Sequence, residues 1–497
     1  MKTIFKFLGM LIAAAILFGA GYLVSKKQKS NVPPPPTVNY FSGAGTKNAS
    51  GLQQTEERNV VEVKQGQSIQ EAVNNAKSGD LIRVYPGTYK ETIYIDKDNI
   101  YLQGVVLEGE WPILEGEKKR NDAILYSGNN MVIENFKIMN YKGNGIMGQA
   151  GNNFIIRNNY IIDTGVYGIF PEFGTNGLIS HNILSGIEDA AIYVGMCDNI
   201  DVLYNEVFKS VAGIEIENSR HALVEGNYVH DNTGGILAFI TPGLPIKTCF
   251  DVIIRNNFII NNNLENFGEP GSIVASLPRG TGIIIMAADE VTIENNIITG
   301  NENAGIVMTD LNFIAHITKD PESEPNPDRI VILDNIMSNN GSNPIDELKA
   351  ARIAYMVTAK GIDIVAVGGG TGSCIRDKSK YVTIGLDNYS QCQSPGTANV
   401  LSYMLEKPAP PRDTKTEDRG RLIYYGICSG CHSYNLRMIG PPTMTIQALY
   451  KDNPQGIADY IAKPVHKRTD FPEMPPQDYL SEEKRLEVAK YMLSIDK

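Results

Sequence analysis

The stretch Ile155-Ile156-Arg157-Asn158-Asn159-Tyr160-Ile161-Ile162 is one copy of a repeat that runs through the middle of the chain. The same pattern, with Asn between two apolar runs, recurs at steps of 22 to 23 residues from Asn159 to Asn182, Asn205 and Asn227. Later copies place this Asn at Asn257, Asn296 and Asn335. A repeat of this period is typical of a solenoid, in which each coil stacks on the one before it.

A second repeated segment lies between these copies and begins with Gly-Ile or Ala-Ile. When the coils stack, its isoleucines form one inward column: Ile146, Ile169, Ile192, Ile214, Ile236, Ile283 and Ile306. The repeated asparagines form a ladder at a corner, because an Asn side chain can both donate and accept hydrogen bonds from coil to coil. We therefore predict an all-β fold, a right-handed parallel β-helix, and assign these asparagines a structural role.

The β-helix is predicted to occupy residues 60–407, including a C-terminal cap. Its opening, from Ser68 to Tyr89, resembles the start of the pectin-lyase-like fold, and a short helix there would cover the apolar end of the solenoid. Residues from about 220 to 306 resemble bacterial proteins with parallel β-helix repeats, some of them fused to cytochrome domains. Insertions near residues 241–248, 264–280 and 310–328 interrupt the repeat, and such insertions often form a binding surface.

Outward positions of the Gly-Ile segments combine aromatic and acidic residues. One column reads Phe170, Tyr193, Glu215 and Leu237, and the next reads Glu172, Gly195, Glu217 and Phe239. Flanking charged residues are Glu188 and Asp189, before Ala191, and Arg220 and His221, after Glu217. Aromatic rings beside paired carboxylates suit a sugar groove or a bound cation. The candidate groove residues are Phe170, Glu172, Tyr193, Glu215 and Glu217, and the alternative is a solvated strand face.

Polysaccharide lyases and epimerases on this fold need two functions. A cation or an arginine neutralises the uronate carboxylate, and a base removes the C5 proton. The chain has no Asp-Pro-His motif of the alginate-epimerase type and no recognisable set of lyase arginines. His230, His316 and His466 are isolated, and we interpret them as ordinary surface or core residues. The catalytic residues of such an enzyme therefore stay open.

A different chemistry is indicated by Cys428-Ser429-Gly430-Cys431-His432 near the C-terminus. Cys-x-x-Cys-His is the attachment signature of c-type haem. Cys428 and Cys431 would form thioethers to the porphyrin, and His432 would bind the iron. Met474 is the candidate sixth ligand, ahead of Met438 and Met444. The alternatives for the two cysteines are a redox dithiol and half of a zinc site.

Residues from about 412 to 497 resemble a class I cytochrome c domain. Gly440-Pro441-Pro442 matches the family's Gly-Pro stretch, and the segment from Leu480 to Leu493 resembles its C-terminal helix. The resemblance implies an all-α domain at residues 408–497 that carries one covalent haem c. It also implies that a proline carbonyl in the Gly-Pro stretch accepts a hydrogen bond from the proximal His432.

The N-terminus has the pattern of an export signal. Lys2 and Lys6 precede an apolar run from Phe7 to Val24, which is near the lower limit of about 17 to 25 residues for a membrane span. We predict a signal anchor or a signal peptide at residues 1–30 and a Pro-rich, flexible linker at residues 31–59. Covalent haem attachment in bacteria of this kind takes place outside the cytoplasm. The predicted location is the periplasmic side of the bacterial inner membrane, or the periplasm if the signal is cleaved.

Composition limits the partners and the compartment. The chain has 497 residues, too many for one ordinary core, and its net charge of -11 makes nucleic acid an unsuitable partner. Among the six cysteines, Cys374 and Cys392 flank a polar loop and could pair in an oxidising compartment. Cys197 and Cys249 are either a pair or two buried thiols.

Three functions are compatible with these patterns. The one we predict is electron transfer by a membrane-tethered mono-haem cytochrome, with a periplasmic or membrane redox protein as partner and the β-helix as a docking scaffold. The second is a carbohydrate-active enzyme, a polysaccharide lyase or epimerase on the β-helix with an accessory cytochrome. The third joins them, with a small organic substrate bound by the β-helix and oxidised by the haem. Whether the chain is an enzyme stays open.

Overall fold

The structure is a computed structural model that describes most of the chain from Arg58 onward. Residues 1–57, which hold the predicted membrane anchor and most of the predicted linker, lie outside the described part. Within the described part, no helix is long and apolar enough to cross a bilayer. The described residues are 58–270, 272–313, 320–412, 416–429, 432, 434–435, 440–468, 470–471, 473–474 and 476–495.

Parallel strands form three long sheets, and each full coil gives one strand to each sheet. Sheet 1 contains, in spatial order, β1 (Val60–Val63), β2 (Leu81–Val84), β5 (Tyr101–Gly104), β8 (Val132–Glu134), β11 (Phe154–Arg157), β14 (Thr175–Ser180), β17 (Asp198–Leu203), β20 (Arg220–Glu225), β23 (Phe250–Arg255), β26 (Asp289–Glu294), β29 (Val331–Leu333), β32 (Cys374–Ile375) and β34 (Ser390–Gln391). All pairings between these strands are parallel, for example between β17 and β20.

Sheet 2 carries the Gly-Ile segments. Its strands are β4 (Ile93–Ile95), β7 (Ile124–Tyr126), β10 (Ile146–Gln149), β13 (Ile169–Glu172), β16 (Ala190–Gly195), β19 (Ala212–Glu217), β22 (Gly234–Phe239), β25 (Thr281–Met286), β28 (Ala304–Thr309), β31 (Ile364–Val367) and β33 (Thr383–Ile384). Sheet 3 consists of β3 (Gly87–Tyr89), β6 (Pro112–Glu115), β9 (Lys137–Met139), β12 (Tyr160–Ile162), β15 (Ile183–Ser185), β18 (Glu206–Phe208), β21 (Tyr228–His230), β24 (Phe258–Ile260), β27 (Ile297–Thr299) and β30 (Ile336–Ser338). The predicted parallel β-helix is confirmed.

The predicted isoleucine column forms the inner face of sheet 2. Ile146 pairs in register with Ile169, and the register continues coil by coil to Ile306 and then to Ile364. These side chains are fully buried. Stacking identical branched side chains fills the narrow interior without voids, and burial of each one contributes about 1.5–3 kcal/mol.

The predicted asparagine ladder lies at the corner between sheets 1 and 3. Asn182 donates from Nδ2 to Oδ1 of Asn205 at 3.0 Å, and the backbone N–H of Asn182 donates to the same oxygen at 3.0 Å. The ladder runs from Asn159 to Asn335. A second ladder, which the sequence analysis did not identify, lines the next corner through Asn232, Asn262, Asn301 and Asn340.

A short helix covers the start of the solenoid, and a helix and a disulfide lie near its far end. At the start, α1 (Ile69–Asn75) buries Ile69 and Val73, and the Ser68 hydroxyl caps it by accepting from the backbone N–H of Glu71 at 3.1 Å. At the far end lie α2 (Asp346–Ala354) and a disulfide between Cys374 and Cys392. Cys197 and Cys249 are two separate buried thiols.

After the last coil, the chain runs back along sheet 1. This return segment, residues 394–412, is held by side chains of successive coils. Arg255 donates to the carbonyl of Val400 at 2.7 Å, and the carboxylate of Asp201 accepts from the backbone N–H of Tyr403 at 2.9 Å. Asn153 accepts from the N–H of Ala409 at 2.7 Å. The return segment thus leads the chain to the early coils.

The C-terminal part is helical, with α3 (Thr416–Ile423) continuing as a π-helical turn (Tyr424–Cys428), followed by α4 (Thr443–Leu449), α5 (Pro454–Ala462) and α6 (Glu482–Ser494). Its apolar core extends onto the outward face of sheet 2, where Tyr94, Leu125 and Met147 join it. The Lys484 ammonium lies 2.5 Å from the carboxylate of Asp96 at this contact. The helical part therefore covers the early coils of sheet 2.

Candidate active site

The predicted groove lies on the outward face of sheet 2, where the coil-to-coil register aligns its residues. Strand β16 pairs with β19 so that Tyr193 lies beside Glu215 and Gly195 lies beside Glu217. One coil earlier, Glu172 of β13 lies beside Gly195. The structure therefore brings the five predicted groove residues onto one face of one sheet.

Three aromatic rings pack together on this face. The Tyr167 ring centroid lies 4.4 Å from that of Tyr193, in stacked geometry, and 4.7 Å from that of Phe170. Phe170 and Tyr193 meet edge to face at 4.7 Å. The rings of Phe170 and Tyr193 lie close to Gly195, where a Cβ atom would clash with Tyr193. The sequence analysis missed Tyr167 because it lies on the turn before the strand, outside the aligned columns.

Burial raises the pKa values of the groove carboxyl groups. Glu172, Glu215 and Glu217 are only 8%, 4% and 6% exposed. Burial, and then the charge of Glu217, raise the pKa of Glu172 to about 8. Burial raises the pKa of Glu217 to about 7, although the Thr241 hydroxyl donates to this carboxylate and opposes the rise. Burial and the charge of Asp189 hold the pKa of Glu215 well above its usual range.

Asp189, on the turn before β16, belongs to the same group. Burial, and then the charge of Glu217, raise its pKa to about 8. All four carboxyl groups also raise the pKa of Tyr167, after burial as the main cause. Strand register places these groups on three successive coils, with Glu172 on β13, Asp189 directly before β16, and Glu215 and Glu217 on β19. We call Glu172, Asp189, Glu215 and Glu217 the acid cluster.

An insertion packs against this face of sheet 2. Val274 and Leu277, from the insertion at residues 264–280, pack on the outward face of sheet 2 with Tyr193 and Leu237. Phe170 belongs both to this apolar group and to the one that the helical part forms. The aromatic rings therefore lie between the insertion and the helical part.

Gln149 extends the acidic column by one coil. It pairs in register with Glu172, so the two side chains lie on the same face of sheet 2. Gln149 is 2% exposed, and among the described residues neither its amide nitrogen nor its amide oxygen has a hydrogen-bond partner. The sequence analysis missed it because the columns were read from Phe170 and Glu172 onward. Reading them one coil earlier would have found it.

Arg220 and His221 do not join the groove. Both begin β20 of sheet 1, where Asp198 binds the Arg220 guanidinium at 3.0 Å and Nδ1 of His221 at 2.6 Å. This hydrogen bond to Asp198 is the main cause that raises the pKa of His221. In the described residues, no group of three or more His, Cys, Asp and Glu side chains is arranged to hold a metal ion.

The predicted haem-binding residues lie in the helical part. Cys428 is buried in its apolar core, and Met474 packs against the same core. Nδ1 of His432 lies 2.8 Å from the carbonyl oxygen of Pro441, and burial lowers the pKa of His432. Cys431 and Met438 lie outside the described residues.

A model of one protein family matches half of the chain. It describes a "right handed beta helix region" and matches residues 116–241 and 241–365. The chain belongs to this right-handed β-helix family. No curated protein sequence matches this β-helix protein.

Some solved structures are similar to this β-helix protein at low sequence identity. One is the A-module of mannuronan C-5 epimerase AlgE4 from Azotobacter vinelandii, with a TM-score of 0.45 and 13% identity over 62% of this chain and 84% of that one. Alginate lyase from Paenibacillus sp. str. FPU-7 gives a TM-score of 0.40 and 13% identity over 63% of this chain and 99% of that one. The catalytic domain of a GH87 α-1,3-glucanase gives a TM-score of 0.33 and 13% identity over 64% of this chain and 70% of that one.

These findings contradict the predicted electron-transfer function and the predicted haem c cofactor. The family model that matches, over residues 116–241 and 241–365, describes a right-handed β-helix region. The cysteine pair that the described residues form is the disulfide between Cys374 and Cys392. Cys-x-x-Cys-His misled the prediction because it is a short local pattern, which needs a matching structural context to carry a function. The predicted redox partner is unsupported, and the predicted haem-ligand roles of Cys428, Cys431, His432 and Met474 depended on this cofactor.

Proposed function

We propose that this β-helix protein is a carbohydrate-active enzyme that cleaves a polysaccharide in the groove of sheet 2. The observation that carries the proposal is the acid cluster, in which carboxyl groups with pKa values of about 7 and about 8 lie beside a packed aromatic group. Such rings offer apolar faces to sugar rings, and a few convergent polar groups can orient the chain.

The acid cluster suits general acid–base catalysis near neutral pH. Cleavage of a glycosidic bond uses two carboxyl groups, one that protonates the leaving oxygen and one that acts as base or nucleophile. Glu217 has the lowest pKa in the cluster, about 7, because the Thr241 hydroxyl stabilises its ionised form. Glu217 is therefore the base or nucleophile.

The ionised form of Glu217 keeps its neighbours protonated. Its charge raises the pKa values of both Glu172 and Asp189, which burial has already raised. Environments that separate the pKa values of adjacent carboxyl groups assign them opposite roles. Glu172 and Asp189 are therefore the candidate general acids, and the charge of Asp189, after burial, raises the pKa of Glu215.

The enzyme is proposed to work outside the cytoplasm. Structural disulfides such as Cys374–Cys392 are typical of oxidising compartments, and the N-terminal pattern of residues 1–30 predicts export. The membrane anchor and the linker are part of this proposal. In bacteria that express the full chain, an uncleaved anchor keeps the protein in washed membranes. A cleaved signal releases it to the periplasm with a new N-terminus.

Polysaccharide cleavage tests the function. The full chain is incubated with neutral glucans and with uronic-acid polymers, and new reducing ends are counted. Glu217→Gln is expected to lower the rate on the active polymer by about 10²- to 10⁴-fold, the usual contribution of a general base. Glu347→Gln, on the exposed first turn of α2, is the matched control and keeps the wild-type rate. No cleavage of any polymer, or full activity in Glu217→Gln, would contradict the proposal.

A further inference from the structure

Gln149 is a buried polar side chain on the outward face of sheet 2 that has no hydrogen-bond partner within the part of the chain that the structure describes. Its amide can donate two hydrogen bonds and accept two. Buried polar groups in folded proteins are nearly always hydrogen-bonded, so an orphan of this kind calls for an explanation. A binding site that is filled only when a ligand arrives is one such explanation.

Gln149 differs in position from Tyr126, a nearby buried residue that also has an unpaired polar atom among the described residues. The Tyr126 hydroxyl also has no partner among residues that the structure describes, but Tyr126 is fully buried and belongs to the apolar core inside the solenoid. Gln149 instead lies beside Glu172, whose carboxyl group belongs to the acid cluster. Adjacent strands lie about 4.8 Å apart, so side chains of the two residues can reach the same small ligand.

We infer that Gln149 and Glu172 form a subsite for an uncharged sugar residue, so that the substrate is a neutral polysaccharide. This inference rests on the proposed function. Sugar hydroxyls both donate and accept hydrogen bonds, and an amide beside a carboxyl group offers both partners. Glu172 shares β13 with the aromatic Phe170, and Gln149 lies one coil earlier, towards the helical part that covers the early coils.

Charge favours a neutral substrate over a uronate. The charges that raise the pKa values of Glu172 and Asp189 come from another carboxyl group, Glu217. A substrate carboxylate in the groove would add a further negative charge to this cluster, and like charges in a buried site repel strongly. A neutral sugar adds none.

The test measures binding and stability together in the full chain. Calorimetric titrations use the slow Glu217→Gln variant with two probes of equal length, a neutral gluco-oligosaccharide and an oligouronate. The gluco-oligosaccharide is expected to bind more tightly. Adding Gln149→Met is expected to weaken its binding about tenfold, the loss of one or two hydrogen bonds. The same change is expected to raise the melting temperature, because it removes a buried polar group that has no partner.

Tyr126→Phe is the matched control. It also removes a buried orphan and is expected to raise the melting temperature, but it leaves affinity for the gluco-oligosaccharide unchanged. If the wild-type chain cleaves a polymer while Gln149→Met binds as tightly as its parent, or if the oligouronate binds more tightly, the inference is wrong and the proposed function stands. If the wild-type chain cleaves no polymer, both are wrong.

Discussion

Glu217 shows how one neighbour adjusts the chemistry of a buried carboxyl group. Burial alone disfavours its charge, and a donated hydrogen bond from Thr241 restores part of the stability of the ionised form. For Glu172, burial and then the charge of Glu217 both raise the pKa, which reaches about 8. Two glutamates on one face of a sheet therefore differ in protonation at neutral pH.

Thr241→Val is expected to raise the pKa of Glu217 above its value of about 7, because valine keeps the shape of threonine and removes the hydroxyl donor. Carbon-13 NMR titration of glutamate carboxyl groups measures the change, with the Glu217 signal assigned from its loss in Glu217→Gln. Thr88→Val, at an exposed position of β3, serves as control and leaves that signal in place. An unchanged or lowered pKa in Thr241→Val would show that the hydroxyl does not stabilise the carboxylate.

At the scale of the element, the asparagine ladder holds neighbouring coils in register. Each Asn uses its side-chain oxygen to accept from the coil before it and its side-chain nitrogen to donate, both to the next Asn and to a backbone carbonyl. The corner also needs a left-handed backbone, with φ from +51° at Asp334 to +68° at Gly226 for the residue before the ladder Asn. The ladder therefore stabilises a bend that the backbone alone disfavours.

Asn182→Ala is expected to lower the free energy of unfolding by about 2–4 kcal/mol, because it leaves several buried donors and acceptors of the adjacent coils without partners. Urea unfolding of the full chain measures the loss. The control is Asn75→Ala at the exposed end of α1, with an expected change within about 0.5 kcal/mol. Equal effects of the two substitutions would argue against a stabilising ladder.

The disulfide at the far end makes a second contribution at this scale. It joins residues 18 positions apart in sequence. The double variant Cys374→Ser/Cys392→Ser is expected to lose about 2–4 kcal/mol of unfolding free energy. Thiol reductant should lower the stability of the wild-type chain to that of the variant and leave the variant unchanged. A reductant effect of equal size on both proteins would mean that other thiols are responsible.

At the scale of the whole molecule, periodic features were predictable from the sequence and single features were not. The isoleucine column and the asparagine ladder repeat in every coil, so spacing alone predicted their positions, and the aligned columns named Glu172, Glu215 and Glu217. Tyr167 and Thr241 lie on turns, where spacing carries no information. The return segment could not be foreseen, because its contacts join residues more than a hundred positions apart.

The acid cluster predicts how stability depends on pH. Glu172, Asp189 and Glu217 have pKa values in the folded chain above their ordinary values of 4.5, 3.8 and 4.5. The folded state therefore binds these protons more tightly than the unfolded state. Their stabilising contribution is fully present below pH about 4 and is lost as the pH rises through about 7 to 8.

Glu217→Gln is expected to reduce this pH dependence, because the rise of its pKa from 4.5 to about 7 corresponds to roughly 3 kcal/mol. Urea unfolding at pH 5 and pH 8 gives the comparison, with Glu347→Gln as control. The variant should lose less stability between the two pH values than the wild type and the control do. An equal loss in all three proteins would mean that Glu217 titrates normally in the folded chain.

The pH dependence of polysaccharide cleavage tests the central claim most directly. If the acid cluster performs the reaction, kcat/KM of the full chain on its best polymer rises as Glu217 ionises near pH 7 and falls as Glu172 or Asp189 loses its proton near pH 8. Glu217→Gln should then remove the rising limb together with most of the rate. A rate that stays constant from pH 5 to pH 9, or an unchanged profile in Glu217→Gln, would contradict the account.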